Sequence, residues 1–216
     1  MGEDLSNKTL AILLGVSILI SLGGLVVFLS TDHDQLTGAA ISPVALARIN
    51  ITARASINWT INSVDWGTGY VNDTAQYCML NTEGENNAAN CTNFTTVNTG
   101  LQLENDGNRR VEVNFTSNAS AAQFLGGSSP SFMWKLANNE DNSCGSPGAG
   151  NNCVLNVTAL QNQTYTEVST TSALMCPCFR FGNGNDTINT QLQVTVPSDS
   201  YTGVREATIT AIATVI

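Results

Sequence analysis

Residues 101–115 read LQLENDGNRRVEVNF. Leu101 and Leu103 alternate with polar neighbours, and so do Val111, Val113 and Phe115, with Glu104-Asn105-Asp106-Gly107-Asn108 between the two runs. Alternation with period two places one set of side chains on one face of a strand. An Asp-Gly pair between two such runs is a hairpin signal. The stretch predicts a β-hairpin with one face buried and the other solvated.

The same period extends in both directions. Ala45, Ala47, Ile49, Ile51, Ala53, Ala55, Ile57, Trp59 and Ile61 alternate with Arg48, Asn50, Thr52, Arg54, Ser56, Asn58 and Thr60, which predicts one long strand or two consecutive ones over 45–61. Trp66–Val71 reads as a short strand with glycine kinks. Further strands are expected at Phe132–Leu136, 153–158, 164–169, 174–181, Ile188–Val196 and Ala207–Val215. No helical period follows residue 30. The expected fold is mainly β: eight to ten strands in an antiparallel β-sandwich, immunoglobulin-like or jelly-roll. The last strand is apolar to Ile216, so it is either covered or a pairing edge.

Upstream the chain changes character. Leu10–Leu29, LAILLGVSILISLGGLVVFL, carries no charge. A helix of that length reaches ~30 Å, the thickness of a bilayer's hydrocarbon core. The expectation is a transmembrane-type anchor, with residues 1–9 as a short cytoplasmic tail, 30–43 as a linker and 44–216 as an extracellular domain. Lys8 on the near side of the run favours this orientation. A cleaved signal would have an apolar region of about 7–15 residues ending near a small-x-small site, and Ala45-Leu46-Ala47 lies far downstream. Met1-Gly2-Glu3-Asp4 does not supply the basic leader of a pilin.

Net charge is −9 and the sequence pI is near 4.3. This argues against nucleic acid, whose binding needs basic side chains to displace counterions. Charged residues make up 12%, against roughly 25% in typical domains; Asn, Thr, Ser and Gln solvate the surface instead. All six cysteines, Cys78, Cys91, Cys144, Cys153, Cys176 and Cys178, follow the apolar run, which points to disulfides in an oxidising compartment. Cys78 with Cys91 closes one loop. A Cys176–Cys178 bridge would make a tight ring across Pro177, so Cys144 and Cys153 are each expected to join one of that pair, in either order.

Ten Asn-x-Ser/Thr sequons begin at Asn50, Asn58, Asn72, Asn90, Asn93, Asn114, Asn118, Asn156, Asn162 and Asn185. They mark candidate glycosylation sites, and Asn50, Asn58 and Asn114 fall on polar faces of predicted strands. Oxygen-rich clusters at 104–108, 138–142 and 183–186 make calcium the one cofactor to weigh, although none forms an EF-hand loop and turns explain them more simply. The only histidine is His33, in the linker. Ser-His-Asp, Cys-His and His/Cys zinc sets are therefore not available to the domain. Asp65 and Glu104 could form a carboxylate pair, but nothing in the sequence brings them together. Trp59, Trp66 and Trp134 each sit in an apolar strand pattern and read as core rather than as a sugar platform.

With these pieces assembled, the chain resembles membrane-anchored surface proteins of small-genome DPANN archaea of the Woesearchaeota and Pacearchaeota type. The resembling stretches are Ser6-Asn7-Lys8-Thr9-Leu10 before the aliphatic run, Thr37-Gly38, INSVDWGTGYVN (61–72), LQLENDGNRRVEVNFTSN (101–118) and VPSDSYTGVREATITA (196–211). The resemblance implies a single-pass surface protein with an immunoglobulin-like exterior, and it carries no activity or site residues. More distantly the chain is similar to archaeal pilins and TasA-like pili, the latter polymerising by donating a strand to a neighbour's sheet. The expected function is a non-enzymatic structural or adhesive surface protein, with the membrane as partner through Leu10–Leu29. The alternatives are a self-assembling filament subunit and a carbohydrate- or calcium-dependent binding module.

Overall fold

The computed structural model describes residues 7–30, 48–138, 140, 142–148, 153–154 and 164–216. The chain divides into two compact units, Met1–Asn50 and Ile51–Ile216.

The first unit contains the helix α1, Asn7–Ser30. Its side chains are described as far as Gly23, and all of them are exposed, including Leu13, Leu14, Leu19 and Ile20. Among the described residues no helix is long and apolar enough to cross a membrane; those of α1 stop short of the ~20 apolar positions a span needs. The fold thus establishes a helix over Leu10–Leu29 and not a span. The expected linker, 30–43, lies outside the described residues apart from Ser30.

The second unit is built of thirteen strands among the described residues, all paired antiparallel. They are β1 (Asn58–Ile61), β2 (Tyr70–Val71), β3 (Tyr77–Asn81), β4 (Cys91–Thr92), β5 (Leu101–Glu104), β6 (Val111–Ser117), β7 (Ser131–Asn138), β8 (Cys144–Pro147), β9 (Cys153–Val154), β10 (Thr166–Glu167), β11 (Ala173–Phe179), β12 (Thr187–Pro197) and β13 (Ile209–Val215). The first sheet runs β1-β5-β12-β7-β10, with β3 also on β12; the second runs β13-β6-β11-β8-β9; β2 and β4 form a separate pair.

The two large sheets pack face to face. Leu101, Leu103, Phe132, Trp134, Leu136, Ile188 and Val194 from the first meet Val111, Val113, Phe115, Met175 and Phe179 from the second in one buried cluster. The Phe115 and Trp134 rings stack across the interface with centroids 4.5 Å apart. An offset aromatic pair of this kind adds about 0.5–1.5 kcal/mol beyond its buried area.

Four sequence expectations are revised. First, 101–115 is not a hairpin. β5 pairs with β1 and β12, whereas β6 pairs with β11 and β13, so residues 105–110 form an arch from one sheet to the other. Alternation is unchanged by this, because both strands still bury one face, now against opposite sides of the core. Asn105 holds the arch: its backbone N–H donates to Asp186 O, and its buried amide donates to Arg109 O and Phe179 O. Second, of the strand expected over 45–61 only Asn58–Ile61 forms; residues 48–57 carry no strand, and 45–47 lie outside the described residues. Asn108 diverts the chain over the arch: its Oδ1 accepts from Arg54 N, its Nδ2 donates to Thr52 O, and its own N–H donates to Arg54 O. Third, Trp66–Val71 contributes only the two-residue β2. Fourth, a short helix α2, Ala121–Phe124, follows β6, opened by a capping box between Ser120 and Gln123.

All three disulfides form as Cys78–Cys91, Cys144–Cys176 and Cys153–Cys178. The order left open by the sequence is thereby set. β11 reaches it through bulges on either side of Cys176, where the register against β6 shifts. The irregularity accommodates Pro177, which cannot donate to a regular ladder.

Removing the Trp134 ring would leave a cavity at the sheet interface. Trp134→Ala is expected to cost about 3–5 kcal/mol, read as a lowered denaturant midpoint with an unchanged slope. A loss below about 1 kcal/mol would mean that the stack with Phe115 does not carry the interface.

Candidate functional site

The feature that most needs explaining is the outer edge of β13, which has no strand beside it among the described residues. β13 pairs with β6 through its whole length, from Ile209↔Ser117 to Val215↔Val111, and no described strand occupies its other edge. Exposed edges are usually blunted by charge, proline or a bulge. β13 reads ITAIATV and has none of these. Its inward side chains Ile209, Ala211 and Ala213 are only partly buried, whereas Val111, Val113 and Phe115 beside them on β6 are at most 1% exposed. The core is therefore incompletely covered along this strand.

Near the same arch lies Ile51–Ala55, a stretch with a strand pattern and no sheet. Arg48–Ala55 is exposed throughout, with Ile49 at 80% and Ile51 at 71%. Backbone groups of Thr52 and Arg54 are held by Asn108, and Ile216 N donates to Arg110 O two residues further on. Ile216, just past β13, and the Thr52–Arg54 stretch thus both meet the chain within residues 108–110. Pairing with a sheet edge would satisfy the segment's remaining backbone groups and bury its alternate isoleucines and alanines.

The sequons fall into distinct geometries. Asn58 and Asn114 lie in strands with their middle residues, Trp59 and Phe115, turned to the core; Asn50, Asn93 and Asn118 are exposed. Asn93 adopts a left-handed backbone with φ 65°. Asn72 is tied down, its Nδ2 donating to Ala89 O and its Oδ1 accepting from Thr92 Oγ1, which also engages the hydroxyl of the Asn90 sequon. Asn118 Oδ1 accepts from Thr208 N. Asn90 and Asn185 are half-buried, and Asn156 and Asn162 lie outside the described residues.

The oxygen-rich clusters do other work. Asp106 sits 3.7 Å from the Arg54 guanidinium, and Glu140 Oε2 accepts from Asp186 N and Thr187 N. Among the described residues no three His, Cys, Asp or Glu side chains gather as a metal site. Asp65 caps Gly67 N at its own turn. Trp134 is 1% exposed, and Trp59 and Trp66 pack partly buried against the core, where the sequence places them.

Two further polar clusters were not legible beforehand. A shallow open cleft of about 450 Å³ is lined by Gln76, Tyr77, Ser128, Ser129, Thr195 and Asp199 among others. Asp199 accepts from the Ser128 backbone N–H and hydroxyl, which hold its carboxyl below the usual range. Each of its carboxylate oxygens thus helps hold the 126–130 loop. On the first sheet, Lys135 Nζ lies 2.8 Å from Glu83 Oε2, Tyr165 Oη donates to the same oxygen at 2.9 Å, and Lys135 sits 4.6 Å from the Tyr165 ring centroid. Burial raises the Glu83 pKa, but the Lys135 and Tyr165 hydrogen bonds and the Lys135 charge outweigh it and leave it lowered; burial and then Glu83 raise that of Tyr165. These contacts come from positions far apart in sequence, with no local pattern to announce them.

Comparison with known protein families, with curated proteins and with solved structures finds no match for this chain.

The Glu83 cluster gives a pH dependence. A carboxyl with a lowered pKa in the fold contributes stability that is present above its unfolded pKa and is lost as pH falls through the folded one. Glu83→Gln is expected to lower stability by up to ~1 kcal/mol at pH 7 and to differ less from the parent chain below pH 4, followed by denaturant titration. An equal difference at both pH values would show that charge plays no part.

Proposed function

We propose that this chain is a non-enzymatic structural protein of an extracytoplasmic surface, held there by its N-terminal apolar helix. The observation that carries the reading is the exposure of the apolar α1 side chains in a chain that also holds a disulfide-bonded sandwich with an amide- and hydroxyl-rich surface. Exposed helical leucines and isoleucines need lipid or other helices around them. The three disulfides favour an oxidising compartment for the sandwich.

A second reading, a self-assembling filament subunit, is favoured by the open β13 edge and the unpaired segment 48–57. Strand addition from one copy to the next gives main-chain hydrogen bonds as affinity and alternate side chains as specificity. Head-to-tail addition of this kind propagates into a filament when the rotation between copies does not close a ring.

Shearing the protein from its native cells and viewing the released material by negative stain separates the two. Dispersed monomers that stay with the membrane until detergent is added support the anchored reading and sink the filament. Long polymers free of lipid do the reverse. Ile51→Pro, at an exposed position, is expected to leave the denaturation midpoint within ~0.5 kcal/mol and to abolish polymers if strand addition builds them; polymers that survive it would overturn that route.

A further inference from the structure

The outward face of the second sheet carries a row that its surroundings do not explain. Asn114, at the centre of β6, lies directly between Leu174 of β11 and Ile212 of β13 in the strand register. Both neighbours are apolar and open to solvent, Leu174 at 36% and Ile212 at 50% exposure. Side chains directly opposite one another across antiparallel strands stand ~4.5–5.5 Å apart at Cβ, so Asn114 has an aliphatic residue on each side.

Asn114 begins the sequon Asn114-Phe115-Thr116. Phe115 is in the core at 1% exposure, so the asparagine and the threonine both face outward. The Asn114 Nδ2 donates to Glu112 Oε1 at 3.0 Å on the same face. An amide nitrogen has two hydrogens; one stays with Glu112 after the other is replaced.

We infer that Asn114 is an N-glycosylation site whose glycan covers Leu174 and Ile212, making the outer face of the second sheet a sugar-coated surface. The donor is a glycosyl group on a lipid-linked phosphate. A bond forms between Asn114 Nδ2 and the sugar C1, the C1–O bond to phosphate breaks, the lipid phosphate leaves with the electron pair, and the amide gives up one proton. No oxidation or reduction is involved. The attached sugar stands off the face of the sheet and leaves the β13 edge free. Asn58 presents the same strand geometry but lies opposite Glu104, with no apolar row to cover. Asn72 spends both ends of its amide on holding the loop that carries β4.

The experiment is glycopeptide mass spectrometry on protein from its native cells, together with Asn114→Gln, Thr116→Ala and Thr116→Ser made in the same cells. The expected result is a glycan mass on the Asn114 peptide, lost in Asn114→Gln and Thr116→Ala and retained in Thr116→Ser. The two variants that lose it are expected to bind a hydrophobic dye at least twofold more, with Thr116→Ser unchanged. Recovery of the native Asn114 peptide without a glycan overturns the site. Loss of the glycan with dye binding unchanged in both variants overturns the covering role.

Discussion

The first sheet depends on the eleven-residue strand Thr187–Pro197. One edge of β12 pairs with β7 from Ile188 to Thr195; the other is divided, with β5 against Thr187–Thr190 and β3 against Gln193–Pro197. At the seam the ladder would leave backbone groups without partners, which is costly inside a protein. Thr82 closes it. Its N–H donates to Leu192 O, its hydroxyl oxygen accepts from Leu192 N, and the hydroxyl also reaches Gln191 Oε1. Gly100 completes the join, because a Cβ there would stand 2.2 Å from Thr190 O. Any side chain at 100 would push β5 off the edge.

This division also explains how much of the fold the sequence reveals. The inward residues of β5, β6, β7 and β12 are legible because alternation reports burial on one face regardless of which strand lies alongside. Partnership is not legible in the same way. The 105–110 arch and a hairpin share the same alternation and the same Asp-Gly turn, and what separates them is Asn105 bonding to Phe179 and Asp186, far along the chain. Likewise 45–61 has an unbroken pattern, yet pairing stops at Asn58 because Asn108 takes the backbone of Thr52 and Arg54. The four-residue α2 escapes a search for helical period, and only its capping box, Ser120 with Gln123, is a local signal for it. The candidate site divides similarly: the apolar edge strand is visible as ITAIATV, while its vacancy depends on the whole topology.

The exposed edge and the unpaired segment illustrate a local conflict with the global fold. A strongly strand-forming sequence left without a strand partner violates the usual agreement between propensity and structure, and such conflicts concentrate where a chain does something beyond folding. Arg48–Ala55 and β13 are complementary in kind: one offers alternating isoleucine and alanine, the other an edge with no strand beside it among the described residues, over a thinly covered core. β5 and β6 show no such conflict, since their alternation and their burial agree residue by residue.

The placement of the disulfides has a consequence for the protein's response to reductant. Cys144–Cys176 and Cys153–Cys178 both lie within the second sheet, and Cys78–Cys91 joins β3 to the small β2–β4 pair. No disulfide crosses from one large sheet to the other. The sequence separations of 13, 32 and 25 residues correspond to about 3–4 kcal/mol of loop-closure stabilisation apiece. Reduction would therefore loosen β8, β9 and the β4 loop, while Phe115 remains stacked on Trp134 by packing alone. Redox chemistry is in this way insulated from the joint that holds the two halves of the sandwich together.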